Sequence, residues 1–600
     1  MAGTSRSAPI DPPDSLYTQE TGGETRIPWW QRNLLLNQPV LFGTWDGVFP
    51  TVMVNIFGII VFLRMGWIVG TAGVANALLL LLIGTALSLI TVFSAIGICE
   101  RTRLQPGGLY FLISHVLGAK IGGATALIYT FGQAVATGLV AVGFGESMQH
   151  FFGTDSKFVV KLIAILTLMA LTVVNAAGVS WVVRLQLVLL ACIAMATLDF
   201  FAGSLWTVDT DHGVGHISFD RLRANSEPFY NAVNCSDIGI EKTLPQQSFF
   251  TVFGVLFANF LGILAGVNMS GDLRDPQKSI PLGELSAVGL SSLICFLFIL
   301  VLGSVVDRQW LLCDHLISER VSLTGWMFMG GLYICSLSST IGSLLGTPRV
   351  LQGIAAEGLV PALAPLAQGI GANKNPVLAT IVLTAIACLF VLIGDLNQLA
   401  ILSTMPFLIT YAMVNYAYVS LAMSFDLVSV TEASTIPSYG STQQIAERAD
   451  LDELFPERKQ FSATGIETTA DIVSQPASWY SHFSNRYVSL VGCMVNLLIL
   501  IFINFWYAIV HFAALILLYF YIAQVTPACF PGISQFSIVH MFRTAFSSIE
   551  SIGVNAHKPC VIGSGPTPSE FSTQQLNEHS SDYEQRKQYH HAKEVTSEFD

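Results

Sequence analysis

Long apolar stretches separated by short polar loops dominate the first 525 residues of the chain. Windows of about 20 apolar residues recur, and a helix needs about that length to cross a hydrocarbon core of about 30 Å. We therefore expect an all-α polytopic membrane protein. Numbered in chain order, the predicted spans are 46–70, 73–98, 120–147, 158–176, 181–203, 248–272, 281–306, 322–346, 376–394, 397–422, 487–506 and 508–524.

Polar segments flank and interrupt these spans. Residues 1–40 form a predicted N-terminal tail, and residues 204–247 a long loop after span 5. Residues 424–485 and 525–600 are rich in Ser, Thr, Glu and Gln, a composition typical of disorder, so we expect a disordered loop and a short C-terminal tail. This division leaves 41–422 as a core of ten helices and 487–524 as helices 11 and 12.

Basic residues predict the orientation of the spans. Cytoplasmic loops carry an excess of Lys and Arg, which places both termini in the cytosol and 204–247 outside or in a lumen. Nothing in either tail distinguishes the plasma membrane from an internal membrane. The basic residues that define the cytosolic side are Arg101, Arg103, Arg184, Arg274, Lys278, Arg349 and Lys374.

Composition argues against an enzyme. Only 11% of the residues are charged, and the net charge of −12 belongs to tails and loops. The sequence has no nucleotide-binding glycine loop, no paired HxxxH and no cysteine cluster with metal-ligand spacing. We expect no cofactor, no bound metal and no nucleic acid, and a lipid bilayer with small ions or a small organic solute as the partners.

The loop 204–247 carries two further signals. Asn234-Cys235-Ser236 is a glycosylation sequon on the predicted outer side. Cys235 and Cys313 are both predicted to lie on that side. They could form a disulfide or remain two free thiols, and the sequence leaves both possibilities open.

Glycines interrupt spans 1 and 6. Gly58 lies inside span 1 together with Pro50, and Gly262 and Gly266 lie inside span 6. Two interrupted spans in matching positions are typical of a transporter built from two inverted repeats of five helices. The alternative is that the glycines serve close helix packing. A break in mid-membrane frees N–H groups that attract anions and C=O groups that attract cations, so an ion site needs few charged side chains.

At these residues the sequence resembles the cation-chloride cotransporter family, solute carrier family 12, of the amino acid–polyamine–organocation superfamily. The resemblance covers most of residues 41–422 and implies a fold of five plus five helices with spans 1 and 6 broken. The matching pieces are "NIFGIIVFLRMGWIVGTAG" (55–73), "VGFGES" (142–147), "GILAGVNMSGDLRDPQKSIPLG" (262–283), "GTPRVLQGIAAEGLVPAL" (346–363) and "KNPVLATIV" (374–382).

The resemblance implies two chloride sites made of backbone amides. Tyr411 in span 10 would add its hydroxyl to the second site, or else be an ordinary helix tyrosine. The amides belong to Gly58, Ile59 and Ile60 in span 1 and to Gly262, Ile263 and Leu264 in span 6.

The potassium site that the resemblance implies is degraded. The carbonyls of Asn55 and Ile56 would remain, but Val140 and Leu261 stand where the family has tyrosine and threonine, and Ala258 where it has proline. A dehydrated cation needs about six to eight oxygens, and two of the side-chain oxygens are absent.

A sodium site is implied by Ser338 and Ser339 in span 8, with a carbonyl from Cys335. Phe57 stands where sodium-coupled relatives have tryptophan, and paired serines also occur in ordinary packed membrane helices.

The resemblance further implies an outer gate in which Arg64 pairs with Glu146. The alternative is two separate charges at the headgroups.

Three functions remain open at this point. The first is a symporter that moves chloride with potassium, sodium or another cation by alternating access. The second is a sodium-coupled carrier of an organic solute such as an amino acid, a polyamine or a nucleotide-like molecule. The third is a non-transporting partner that regulates other cotransporters, and a homodimer or such an association is an open question for all three.

Overall fold

The computed structural model describes residues 42–102, 108–152, 156–176, 179–238, 243–369, 376–435, 480–526, 530 and 532–534. The predicted N-terminal tail, residues 436–479 of the predicted loop and residues 535–600 of the predicted tail lie outside the described residues. Everything below concerns the described part of the chain.

Helices account for all twelve predicted spans. Eleven segments in the described ranges are long and apolar enough to cross a membrane, and span 9 is a shorter apolar helix. The helices of spans 2–5 and 7–12 are Val74–Arg101, Ala119–Phe152, Lys157–Ala176, Val179–Trp206, Pro276–Val305, Gly325–Ala356, Val377–Ile393, Leu396–Thr435, Arg486–Ile503 and Phe505–Val525.

Spans 1 and 6 are the interrupted ones. Span 1 consists of a π-helical turn and three short helices, Thr44–Val48, Phe49–Ile56, Ile59–Leu63 and Met65–Ala72. Span 6 consists of helix Phe249–Phe257, 3-10 turn Ala258–Gly262, helix Ala265–Asn268 and 3-10 turn Ser270–Asp272.

Short elements fill the loops. A two-stranded antiparallel sheet, β1 (Val233–Asn234) with β2 (Thr243–Leu244), lies in the long loop after span 5. Helix Gly108–Leu117, between spans 2 and 3, was not predicted. The other helices are Phe219–Ala224, Arg308–Cys313 and Ile317–Val321, and the other 3-10 turns are Thr210–His212, Cys235–Ile238, Pro361–Ala367 and Ser481–Phe483.

Two predicted disordered segments are ordered at their beginnings. The span 10 helix continues to Thr435, so the prediction of disorder from 424 is wrong for its first twelve residues. The predicted tail contacts helix Gly108–Leu117 and the start of span 3: the Ser534 amide donates to the Val116 carbonyl at 3.1 Å, and the Phe530 carbonyl accepts from the Ala119 amide at 2.9 Å. The prediction from polar composition did not include either ordered segment, because their order comes from backbone hydrogen bonds.

The two interrupted spans lie at the centre of the molecule. In spans 1 and 6, 83% of the most apolar window is buried, against 22% in span 4 and 17% in span 12. The outer spans turn large apolar side chains such as Leu166, Val173 and Leu517 outward, which suits a lipid-facing surface. The broken helices are therefore enclosed by protein, the only setting in which a bilayer tolerates irregular backbone.

A disulfide joins the loops that follow spans 5 and 7. Cys235 and Cys313 are bonded, which links the loop after span 5 to helix Arg308–Cys313 after span 7. The bond puts both loops on one side of the membrane, as the twelve-span topology requires. Asn234, the sequon asparagine, is exposed beside the bond at the end of β1.

We expect Cys313→Ser to lower the thermal stability of the detergent-purified protein. The bond spans 78 residues of sequence, and loss of a disulfide across a long loop costs about 2–5 kcal/mol. The measurement is the melting temperature by intrinsic fluorescence, with Cys388→Ser, a change at a free cysteine of span 9, as the matched control. Equal melting temperatures for the two variants would contradict the prediction.

Candidate ion-binding cavity between spans 1 and 6

The break in span 1 is a short extended turn. Helix Phe49–Ile56 ends at Phe57, Gly58 is extended (φ −80°, ψ −177°), and the helix resumes at Ile59. The first amides of a helix have no acceptor within it, so the resumed helix presents free N–H groups to whatever lies at its start. Those groups belong to the predicted residues Gly58, Ile59 and Ile60, which all line one cavity.

The break in span 6 is gentler. The chain tightens into the 3-10 turn Ala258–Gly262, leaves regular helix at Leu264 (φ −95°, ψ 15°), and re-enters it for one turn at Ala265. A 3-10 turn keeps part of its hydrogen bonding, so fewer backbone groups are freed here than in span 1.

Gly262 lets the two breaks meet. A Cβ atom on Gly262 would lie 2.3 Å from Cβ of Asn55 and 3.2 Å from its backbone carbonyl carbon. No side chain fits at that distance, so Gly262 is required by close approach. The packing alternative considered for the glycines therefore holds at this position, and it holds at the centre of the candidate site.

The cavity between the breaks has a volume of about 60 Å³. Predicted residues that line it are Asn55, Gly58, Ile59, Ile60, Val140, Ala258, Leu261, Gly262 and Ser339. Predicted residues that are not part of the lining are Ile56, Arg64, Glu146, Ile263, Leu264, Cys335, Ser338 and Tyr411.

Tyr411 is tied to the backbone of span 6. Its hydroxyl donates to the carbonyls of Phe260, at 2.7 Å, and Leu261, at 3.0 Å. The side chain is completely buried and outside the cavity. In this conformation Tyr411 satisfies carbonyls that the break exposes, and its hydroxyl would have to leave them before it could donate to an anion.

Span 8 contacts the other break through two of the predicted sodium residues. The Ser339 hydroxyl donates to the Val54 carbonyl at 2.8 Å, and the Cys335 thiol contacts the Phe57 carbonyl. The hydroxyl of Ser338 is buried with no partner in the described ranges. The prediction did not include the carbonyls of Val54 and Phe57, although the last carbonyls of a helix before a break are the ones left without partners.

Hydrocarbon occupies the predicted potassium region. Val140 and Leu261 both line the cavity, so their positions supply no side-chain oxygen. The side-chain amide nitrogen of Asn55 donates to the Thr51 carbonyl at 2.8 Å.

Six polar cavity residues were missed by the sequence prediction, and three of them carry amide side chains, Gln133, Asn259 and Asn268. The amide groups of Gln133 and Asn268 both donate to the Tyr129 hydroxyl, at 2.9 and 2.6 Å. Asn259 is 2% exposed, and neither of its amide atoms has a partner in the described ranges. A polar residue inside an apolar span is itself a signal, because burying it in a membrane is costly without a partner or a ligand.

Arg64 and Glu146 form an ion pair away from the cavity. Arg64 Nη2 lies 2.7 Å from Glu146 Oε2, and Arg64 Nε donates to Asn397 Oδ1 at 2.9 Å. The guanidinium thus joins spans 1, 3 and 10.

Within the described ranges, no group of three or more His, Cys, Asp or Glu residues is arranged to hold a metal ion.

Comparison with known proteins places the chain in a family. The model of the family described as amino acid permease matches residues 47–430, which include nearly all of spans 1–10. Solute carrier family 12 member 8 of Mus musculus is 34% identical over 690 residues, covering 95% of this chain and 96% of the relative. The chain belongs to solute carrier family 12. The same member of Homo sapiens is also 34% identical, with the same coverage. Member 2 of Homo sapiens is 26% identical over 575 residues, covering 88% of this chain and 42% of the relative.

Membership of solute carrier family 12 confirms the resemblance and the all-α polytopic fold. It makes the chain an integral multi-pass membrane transporter and not an enzyme.

We expect Glu146→Gln to destabilise the protein. The change leaves the buried guanidinium of Arg64 without its carboxylate. Losing an exposed ion pair costs about 0–1 kcal/mol, and breaking a buried one costs about 3–5 kcal/mol. Because Glu146 is partly exposed, we expect a loss of stability between these two values. Asp395→Asn, which removes the exposed Lys157–Asp395 pair, is the matched control. The measurement is thermal unfolding in detergent, and equal effects of the two changes would show that the Arg64 pair adds no stability.

Proposed function

We propose that the chain is a secondary active symporter that moves chloride together with a cation by alternating access. The observation that carries the proposal is the asymmetry of the two breaks. Carbonyls exposed by the breaks accept from Tyr411 and Ser339, whereas the residues that carry the first amides of the resumed span 1 helix line the cavity. Free amides at a helix start favour an anion, so the cavity is better prepared for chloride than for a cation.

The volume of the cavity supports an ion as the cargo. Pockets for organic ligands measure about 300–1,000 Å³, and a single water needs about 10–15 Å³. A cavity of about 60 Å³ therefore has room for an ion with a few waters and not for a larger solute in this conformation.

For the cation, sodium is better supported than potassium. The carbonyls of Val54 and Phe57 lie against Ser339 and Cys335, which brings several oxygens to one side of the span 1 break. Hydrocarbon at Val140 and Leu261 leaves the potassium region without the oxygens that a dehydrated ion requires. Sodium would have to displace the Ser339–Val54 hydrogen bond and take both oxygens as ligands.

A second candidate function is sodium-coupled transport of an organic solute. Asn259 favours it, because a carboxamide with no partner in the described ranges lies buried in the cavity wall and can both donate and accept. The family description, amino acid permease, also fits. This function requires the cavity to enlarge several-fold before the solute binds.

We also propose that both termini are cytosolic. Arg101, Arg274 and Arg349 lie at the ends of spans 2, 6 and 8 on one side, and the disulfide and Asn234 lie on the other.

Uptake by the full chain in liposomes tests these functions. Chloride-dependent uptake of rubidium or sodium tracer is expected for the symporter, with loss of the signal when gluconate replaces chloride. Sodium-dependent uptake of an amino acid or polyamine without chloride dependence would favour the second function. No flux of any solute, with co-purification of another cotransporter, would support the regulatory alternative.

Restoring the missing oxygens tests the account of the cation. We expect Val140→Tyr with Leu261→Thr to raise rubidium uptake relative to sodium uptake, because it returns a phenol and a hydroxyl to the cavity wall. The ratio of the two tracer fluxes is the measurement, normalised to the amount of folded protein by size-exclusion chromatography. An unchanged ratio in a well-folded variant would show that these two positions do not limit potassium binding.

Gly262→Ala should abolish most of the transport. The new methyl would collide with Asn55 and separate the two breaks. Overpacking of about 1–3 kcal/mol lowers the population of the conformation that holds this cavity by about fivefold to about 150-fold. Gly346→Ala is the matched control, since Gly346 also lines the cavity but its Cβ would make an ordinary 3.6 Å contact with Asn268. Equal fluxes in the two variants would contradict the role given to the contact.

A further inference from the structure

Glu284 is a buried carboxyl that the proposed ion site does not use. It lies near the start of span 7 and is completely inaccessible to solvent. Its Oε1 accepts from the Val267 amide at 3.3 Å, and its Oε2 has no hydrogen-bond partner in the described part of the chain. Val267 belongs to the single helical turn that follows the break in span 6.

No described cation balances the charge of Glu284. The titratable groups within its electrostatic reach are the Cys99 thiol of span 2 and the hydroxyls of Tyr129 and Tyr411, which are neutral at pH 7. Glu100, which follows Cys99, is acidic and supplies no balancing charge. In the π-helical turn that begins span 1, Asp46 is exposed, and its carboxylate accepts from the Gly43 amide.

Close packing excludes water from the carboxyl. A Cβ atom on Gly266 would lie 2.9 Å from Glu284 Oε1 and 2.7 Å from Val48 Cγ1. A Cβ on Gly283 would lie 2.5 Å from the same Val48 methyl. Val48, at the start of span 1, thus fills the space between the two glycines that flank the carboxyl.

Free energies decide which form of Glu284 occupies this site. Burying an ionised carboxylate without a cation costs far more free energy than burying a neutral carboxyl with one unmade hydrogen bond. In fully buried, unpaired carboxyls this difference exceeds the free energy needed to take up a proton at neutral pH. The covered carboxyl therefore carries a proton at neutral pH.

We propose that Glu284 is a proton-binding site that Val48 covers. The proton stays on the carboxyl while the start of span 1 is packed against Gly266 and Gly283. When that segment moves away, water reaches the carboxyl, accepts the proton and leaves a hydrated carboxylate. The ligand of this site is a proton, and the site goes beyond the proposed chloride symport.

The carboxyl is also connected to the cavity. A carboxylate accepts a stronger hydrogen bond from the Val267 amide than a neutral carboxyl does. The next residue, Asn268, lines the cavity and donates to Tyr129. The protonation state of Glu284 therefore biases the position of the helical turn that carries Asn268.

Infrared spectroscopy of the full chain in liposomes tests the proton. We expect the carbonyl-stretch band of a protonated carboxylic acid at neutral pH, and its loss in Glu284→Gln. Asp199→Asn is the matched control, because Asp199 is also buried but its carboxylate accepts from the Thr324 hydroxyl at 2.7 Å and from the Thr324 amide at 3.2 Å; this variant should leave the band intact. No such band in the wild type, or a band that survives in Glu284→Gln, would overturn the proposal.

A second variant tests the cover. Val48→Ser gives water a polar edge beside the carboxyl, so the band should vanish at neutral pH and return on acidification. Val61→Ser, an equally buried valine beyond the break in span 1, should leave the band unchanged. A band in Val48→Ser that matches the wild type at every pH would reject Val48 as the cover. Neither readout depends on which solute is transported, so these outcomes are separate from those of the uptake experiments.

Discussion

The contact between Gly262 and Asn55 is the constraint on which the central cavity depends. It brings the breaks of spans 1 and 6 so close that no side chain fits between them. With the two breaks side by side, the Ser339 hydroxyl of span 8 reaches the Val54 carbonyl, and the Tyr411 hydroxyl of span 10 reaches the Phe260 carbonyl. A shift of either span by the width of a methyl group would separate these partners.

The carbonyl ends and the amide ends of the broken helices have different surroundings. Hydroxyl groups from neighbouring spans satisfy several freed carbonyls, and each such hydrogen bond contributes about 0.5–1.5 kcal/mol that a cation must first displace. The residues that carry the first amides of the resumed span 1 helix, Gly58, Ile59 and Ile60, line the cavity instead. The freed carbonyls are therefore occupied by protein donors, whereas the helix start borders the cavity.

The sequence was informative wherever physical requirements act on single segments. Span length and apolar content are set by the bilayer, and all twelve spans were predicted with small shifts of their ends. The glycines of spans 1 and 6 predicted both breaks, and family motifs predicted nine of the residues that line the cavity. Helix Gly108–Leu117 was missed, and so were residues 530 and 532–534, which hydrogen-bond to this helix and to the start of span 3. The extension of the span 10 helix to Thr435 was also missed.

By itself the sequence determined a polytopic helical membrane protein with two broken spans, because hydrophobic length and glycine placement are local properties. Only the tertiary structure decided how the freed backbone groups are used, since hydrogen bonds such as Tyr411 to Phe260 and Ser339 to Val54 join residues 151 and 285 positions apart. The same holds for Glu284. In the sequence it is one acidic residue at the start of a span, and only the packing of Val48, Gly266 and Gly283 around it makes it a covered carboxyl without a counter-ion in the described part of the chain.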